Sequence, residues 1–220
     1  MSQTNKLLEP AEILDIKIQK EGTKNLFRNK FLEILTRTSP WIIIPLDLAM
    51  IAGILFWGVA KMDVSLKTHW WMFLVGLFSW TLLEYVMHRF AFHFPAKSDG
   101  AKKATYALHL IHHHFPNDED RLFQPPAINV GLAVFFLGLF YLILGKLAFI
   151  FIPGLIAGYI TYSSIHYSIH RFKPPFKFLQ VIWRHHTLHH YRFPNKAFGV
   201  SSPFWDYIFG TMPPQDLKKS

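Results

Sequence analysis

The 220-residue chain contains no cysteine. That absence excludes disulfides, thiolate metal ligands, a cysteine nucleophile and a thiolate-bound haem. Acidic residues are scarce too: 14 Asp and Glu stand against 23 Lys and Arg, and charged residues make up only 17% of the chain. The amino terminus, MSQTNKLLEPAEILDIKIQKEGTKNLF, lacks the apolar core and small-residue cleavage site of a secretory signal peptide. Internal repeats and low-complexity tracts are missing as well. What fills the chain is apolar, at 51% hydrophobic and 17% aromatic with 22 Phe. An ordinary soluble domain carries less.

The apolar residues gather into four runs, at about 41–60, 70–86, 127–144 and 147–165. Each approaches the roughly 20 residues with which a helix crosses a bilayer. Helices are the expected choice because lipid offers unpaired backbone groups no partner. Residues 61–69 join the first pair of runs, and Gly145 with Lys146 joins the second in a tight antiparallel turn. Two hairpins place residues 1–40, 87–126 and 166–220 on one side, together with 20 of the 23 basic residues. The positive-inside rule makes that side cytoplasmic. The net charge of +9 is then a matter of topology and headgroup attraction, and nucleic acid is not an expected partner. The fold class expected is an all-α integral membrane protein: four transmembrane helices in two hairpins with a cytoplasmic, helical, histidine-rich cap. Residues 1–40 form a cytoplasmic or interfacial segment and 41–220 the membrane domain. Within 10–37 an amphipathic surface helix is expected, its apolar face drawn from Ile13, Ile16, Ile18, Leu26, Phe27, Phe31 and Leu35.

Twelve of the 13 histidines fall on the cytoplasmic side of this topology; only His69 does not. They come in spaced groups: His88 and His93; His109, His112 and His113; His166 and His170; His186, His189 and His190. Offsets of three and four share a helix face, so the last three groups can each converge. The offset of five does not, and the first helix is expected to end between His88 and His93, near Pro95. Neutral imidazole suits iron, zinc and similar metals. Ten imidazoles are too many for one ion and suit two, with four or five nitrogens each. His69, beside Trp70 and Trp71, reads as interfacial, and His114 points off its cluster's face. His185 competes with His186 for the last cluster; the spacing of the second cluster favours His186 and leaves His185 as a supporting or solvated residue. Three further residues are candidates to orient a ligand through its second nitrogen. They are His185; Glu84, which shares a helix face with His88 or else meets interfacial water; and Asp206, which pairs with an arginine or braces a ligand. Asp118, Glu119 and Asp120 read as a solvated loop, and Asp47 as an acid that snorkels or caps a break after Pro45. Trp41, Trp70 and Trp71 read as interface anchors.

The pattern His-x4-His, His-x2-His-His, His-x3-His, His-x2-His-His resembles the membrane fatty acid hydroxylase superfamily, which includes sterol desaturases and carotenoid hydroxylases. The stretches EYVMHRFAFH, HHHFPNDEDRLFQPP and FGVSSPFWDYIFGT resemble its fatty acid 2-hydroxylase branch. The resemblance runs from about Glu84 to Thr211. It implies a two-metal, O₂-dependent oxidoreductase that puts a hydroxyl on carbon 2 of a fatty acyl chain, free or within a lipid such as a sphingolipid. Iron is the implied working metal, with zinc an occupant of purified material. The implied ligands are His88, His93, His109, His112, His113, His166, His170, His186, His189 and His190. Fungal and animal members carry a fused cytochrome b5-like domain. The roughly 40 residues before the first run hold no histidine to ligate such a haem. Electrons are therefore expected from a separate ferredoxin, cytochrome or reductase, docked on the basic face. The expected location is the bacterial inner membrane, or the endoplasmic reticulum in a eukaryote. A sterol or carotenoid hydroxylase or desaturase is the alternative within the superfamily. A zinc transport or storage protein is the alternative outside it, although a transporter would place its ligands inside the membrane helices.

Overall fold

The computed structural model describes residues 18–61 and 65–214. Among them every regular element is helical. The α-helices are α1 (Lys30–Ile34), α2 (Pro40–Lys61), α3 (Leu66–Val86), α4 (Asp99–Thr105), α5 (Ile111–His114), α6 (Pro126–Leu144), α7 (Ala148–Arg171), α8 (Gln180–Tyr191) and α9 (Phe204–Ile208). Three stretches are long and apolar enough to cross a membrane: Pro40–Lys61, Lys67–Phe92 and Glu119–Arg171. A 3-10 turn at Gly145–Leu147 interrupts the last of these between α6 and α7. Gly145 adopts φ +57 there, a left-handed conformation that glycine enters without steric cost, and its amide bonds back to Tyr141 O.

The chain divides into two compact units. The described residues of Met1–Leu26, Tyr85–Asp118 and Ile169–Ser220 form one; Phe27–Glu84 and Glu119–Ser168 form the other. The second unit is held by packing of apolar helices. Phe151, Ile152, Leu155 and Ile156 of α7 are buried against Met72, Trp80 and Leu83 of α3, Met50 and Ile54 of α2, and Phe136 and Phe140 of α6. Backbones meet where glycines allow it. A Cβ on Gly76 would lie 2.0 Å from Phe151 O, and one on Gly154 would lie 2.0 Å from Phe73 O. Small residues at such crossings let helices gain van der Waals contact where the hydrophobic effect gives no help.

Two polar clusters complete this unit. Glu33 accepts from Arg37 Nε at 3.1 Å, Arg121 Nη2 at 2.6 Å and the Phe27 amide at 3.0 Å. These bonds tie the segment before α2 to the turn before α6. Asp47 is fully buried and takes a hydrogen bond from Asn129 of α6. The snorkelling or helix-break reading of Asp47 is therefore corrected: α2 runs through Pro45 without stopping, and the acid is buried with one carboxylate oxygen bonded to a neighbouring helix. The surface helix expected within 10–37 falls partly outside the described residues. Ile13 and Ile16 lie outside the described residues, and within 18–37 only Lys30–Ile34 is helical. Asn29 starts that helix by accepting from the Phe31 and Leu32 amides, a cap that favours a fresh start over continuation. Phe31 and Leu35 are exposed on it.

Candidate metal centre

The first unit collects all the histidines but His69 and His166, and two departures from regular α-helix help to place them. After Val86 the chain widens into a π-helical turn over Met87–Phe92, closed by the His93 amide on His88 O at 3.1 Å. This i to i+5 bond brings residues five apart round to one side, which an α-helix does not do. The expected stop comes at Phe92, immediately before His93. A second π-helical turn, Tyr106–Leu110, carries His109 into α5.

The imidazoles form two groups. The first is His88, His93, His109, His113 and His189, each offering one nitrogen, with all five nitrogens within 4.8 Å of one another. Its contacts run His88 Nε2 to His109 Nε2 at 3.0 Å, His109 Nε2 to His113 Nε2 at 2.9 Å, and His93 Nε2 to His189 Nε2 at 3.1 Å. The second gathers His112, His170, His186 and His190, with His112 Nε2 3.1 Å from His190 Nε2 and His170 Nε2 3.0 Å from His186 Nε2. His166 is buried one turn before His170 on α7, in the stretch of that helix that belongs to the other unit. The sequence suggested that each of the last three clusters can converge on itself. The fold instead splits two of them. His109 and His113 enter the first group while His112 enters the second; His186 and His190 enter the second while His189 enters the first. Rings of His113 and His190, one from each group, stack at 4.1 Å and 10°.

These groups have the chemistry of a cation site. Phe198 O lies 2.5 Å from His88 Nδ1 and Lys196 O lies 2.7 Å from His189 Nδ1. A carbonyl only accepts, so both Nδ1 atoms carry the proton and both Nε2 atoms present lone pairs to the group. Protons do not neutralise that convergence near pH 7. Burial first, and then the charge of neighbouring imidazoles, holds His93, His109, His113, His189 and His190 well below the ordinary value of 6.5. A metal ion does neutralise it. Ligand nitrogens about 2.1 Å from an ion lie at most about 4.2 Å apart, so modest contraction closes the first group. All-imidazole donors suit iron, zinc, copper or nickel and not magnesium or calcium.

The same burial sets a pH dependence. In chelator-treated protein the unfolded chain takes up protons below about pH 6.5 while the folded rings resist them. Stability is therefore complete above that value and falls as pH drops through it, each ring contributing up to about 1.4 kcal/mol per pH unit. The melting temperature should be level from about pH 8 to 7 and decline steeply from about 6.5 towards 5. A level profile down to pH 5 would remove these rings from the account.

The remaining candidates divide. His185 joins neither group and hydrogen-bonds Asp206 Oδ2 at 3.0 Å. Asp206 is fully buried and also accepts from the Phe198 amide at 2.9 Å, the Gly199 amide at 2.7 Å and Thr211 Oγ1 at 2.7 Å. Burial alone would raise its pKa; the bonds from His185, Thr211, Gly199 and Phe198 outweigh burial and hold the carboxyl below its ordinary value. Glu84 is buried one turn before His88 on α3. His114, outside both groups as expected, meets Tyr106 Oη at 3.1 Å. His69 bonds back to Ser65 O at 2.9 Å. The acidic loop is more engaged than a solvated reading allows. Asp118 accepts from Thr23, and Glu119 accepts from Tyr167 at 3.1 Å. Reading the sequence missed the segment 196–199, whose backbone carries no signal in residue type. It also missed Phe198, whose ring centroid lies 5.6–5.7 Å from those of His88, His93 and His189.

Comparison with known proteins gives a consistent picture. The family model described as fatty acid hydroxylase matches residues 73–211. The ceramide very long chain fatty acid hydroxylase of Saccharomyces cerevisiae is 36% identical over 87% of this chain and 50% of its own length. A dihydroceramide fatty acyl 2-hydroxylase of Arabidopsis thaliana is 35% identical over 88% of this chain and 81% of its own. Human fatty acid 2-hydroxylase is 29% identical, and the match spans 57% of that protein. This chain thus spans about half the length of the yeast and human relatives. A solved structure of full-length scs7p, with only the hydroxylase domain visible, matches with a TM-score of 0.81 at 32% identity, over 100% of this chain and 88% of that one.

Proposed function

Because the chain belongs to the fatty acid hydroxylase family, we propose that it hydroxylates carbon 2 of a fatty acyl chain, free or in a ceramide-like lipid, at a two-metal centre. The observation that carries this reading is the pair of buried imidazole groups, in a family whose relatives are named for acyl 2-hydroxylation. His88, His93, His109, His113 and His189 hold one ion. His112, His170, His186 and His190 hold the other. Iron is the working metal and zinc a substitute. In this reading α2, α3, α6 and α7 cross the membrane, residues 1–40 precede them, and the histidines lie on the cytoplasmic side; the three long apolar stretches support a membrane location. The excess of basic residues on that side supports it further.

When bound, the two ions would supply the redox chemistry with O₂ that side chains lack for oxidising a C–H bond. The balance is one C–H bond, O₂, two electrons and two protons giving C–OH and water. This chain's residues hold and shield. Lys196 O and Phe198 O keep the Nδ1 protons of His189 and His88, leaving Nε2 for the ion. Phe92 stacks on His109 at 5.0 Å and 16°, and Phe198 covers three rings, so apolar surface faces the first group and excludes water. An acyl chain would be selected by apolar packing and not by charge. Exposed Arg171, Lys173, Lys177, Arg184 and Arg192 suit an acidic electron carrier such as a ferredoxin, cytochrome or reductase.

The test is mass spectrometry of hydrolysed lipids from cells expressing the chain with its metal and an electron donor, with the hydroxyl position determined. New 2-hydroxy acids are the expected result. Hydroxyl at another carbon, or oxidised sterol or carotenoid without them, would overturn the assignment.

A further inference from the structure

The segment Lys196–Gly199, between α8 and α9, contributes no side chain to either imidazole group, yet two of its carbonyls fix two of the rings. Lys196 O holds His189 and Phe198 O holds His88. These histidines come from distant parts of the sequence and sit with ring centroids 4.5 Å apart. Between the two carbonyls lies Ala197 at φ +59, the only non-glycine residue with positive φ among those described. That conformation costs a residue bearing a Cβ about 1–3 kcal/mol, so it persists only where surroundings enforce it.

The enforcement is visible. The Ala197 amide donates to Thr211 O at 2.9 Å, and the Phe198 and Gly199 amides donate to the two oxygens of Asp206. Gly199 is pressed against the next turn: a Cβ there would lie 2.2 Å from Ser202 O. Asp206 is itself fixed by Thr211 Oγ1 and His185, and Thr211 continues through Tyr85 Oη at 2.9 Å to Arg89 at 2.8 Å. The carboxylate thus accepts four bonds, none from a histidine of either group. Its bond from the Gly199 amide holds the peptide plane whose carbonyl directs His88; the plane of Lys196 O is held by the Ala197 amide on Thr211 O, and Asp206 fixes Thr211 through its hydroxyl. Without Asp206 both anchors loosen, so Ala197 relaxes towards an ordinary conformation and the two carbonyls rotate.

We propose that Asp206, acting through the backbone of Lys196–Gly199, is a positioning residue that sets the tautomer and aim of His88 and His189 and thereby governs metal retention at the first group. The proposal rests on the two-metal reading above and adds a residue that would act on one ion and not the other. Partners of this kind are typically worth about 10- to 100-fold in metal affinity.

The readout is metal release to a chelator from purified protein in detergent, followed by elemental analysis. In a His170→Ala background, which disables the second group, Asp206→Asn should speed release about 10- to 100-fold. In a His93→Ala background, which disables the first, Asp206→Asn should leave release unchanged. Ala197→Gly keeps access to the left-handed conformation and should retain metal as wild type does; Ala197→Val should behave like Asp206→Asn. The alanine-site pair carries the test if Asp206→Asn fails to fold. Equal acceleration at both groups would reduce Asp206 to general stability and overturn the proposal, as would unchanged release in Asp206→Asn and Ala197→Val. A wild type that retains no metal after expression in metal-replete medium would overturn the two-metal reading itself.

Discussion

Replacing His189 or His112 with alanine is expected to lower 2-hydroxy acyl product at least about 1,000-fold, to background, while the protein still inserts in the membrane. The size follows from what is lost. A bound metal supplies several kcal/mol of stabilisation at the reacting centre, and each 1.4 kcal/mol is tenfold in rate. The two substitutions strike different groups, since His189 belongs to the first and His112 to the second. Each should therefore cost one ion and spare the other, and elemental analysis beside lipid mass spectrometry separates the cases. Product from His112→Ala near the wild-type level would show that the second group is not needed for oxidation. The same result from His189→Ala would say so of the first.

The second large effect is on folding. Gly154→Val and Gly76→Val each force a side chain into a backbone carbonyl of the facing helix, where even a Cβ would lie 2.0 Å from oxygen. Carbonyl groups fixed in a helix cannot swing aside, so α3 and α7 must separate along the crossing and give up the packing around Phe151 and Leu155. A loss of about 3 kcal/mol or more is expected, at the upper end of ordinary overpacking costs. Gly138→Ala on α6 is the matched control. An added Cβ there meets nothing within 4 Å, and alanine is the better helix former, so stability should hold or rise by up to about 1 kcal/mol. Thermal unfolding in detergent measures all three. Equal melting temperatures for Gly154→Val and Gly138→Ala would mean that the crossing has been misread.

Much of this was legible from residue type and spacing. Long apolar runs imply helices wherever water is scarce, and histidines at offsets of three and four imply shared faces. The exclusion of His114 rests on that periodicity, and the choice of His186 over His185 on the likeness of the last cluster to the second. The rest depended on features that spacing does not encode. His88 and His93 share a group because the helix widens over Met87–Phe92, and nothing in MHRFAF announces an i to i+5 bond. The division of each His-x2-His-His cluster needs elements on two sides: one helix turn presents His109 and His113 together, and the intervening His112 meets different partners. Asp47 reads as an acid near a membrane boundary until Asn129, 82 positions away, supplies its hydrogen bond. The Ala197 conformation is likewise set by Asp206 and Thr211, because alanine alone prefers ordinary backbone angles.

The interleaving of the two imidazole groups has a consequence for how the protein is made. The first group draws four members from His88–His113 and its fifth, His189, from α8; the second requires His186 and His190 from that same helix. During synthesis neither nest of nitrogens is whole until the ribosome has passed residue 190. By then α2, α3, α6 and α7 have all been made. Metal loading is thus a late event in the life of the chain, and a nascent chain stalled before α8 would carry crowded, cation-hungry imidazoles with no finished place to put an ion.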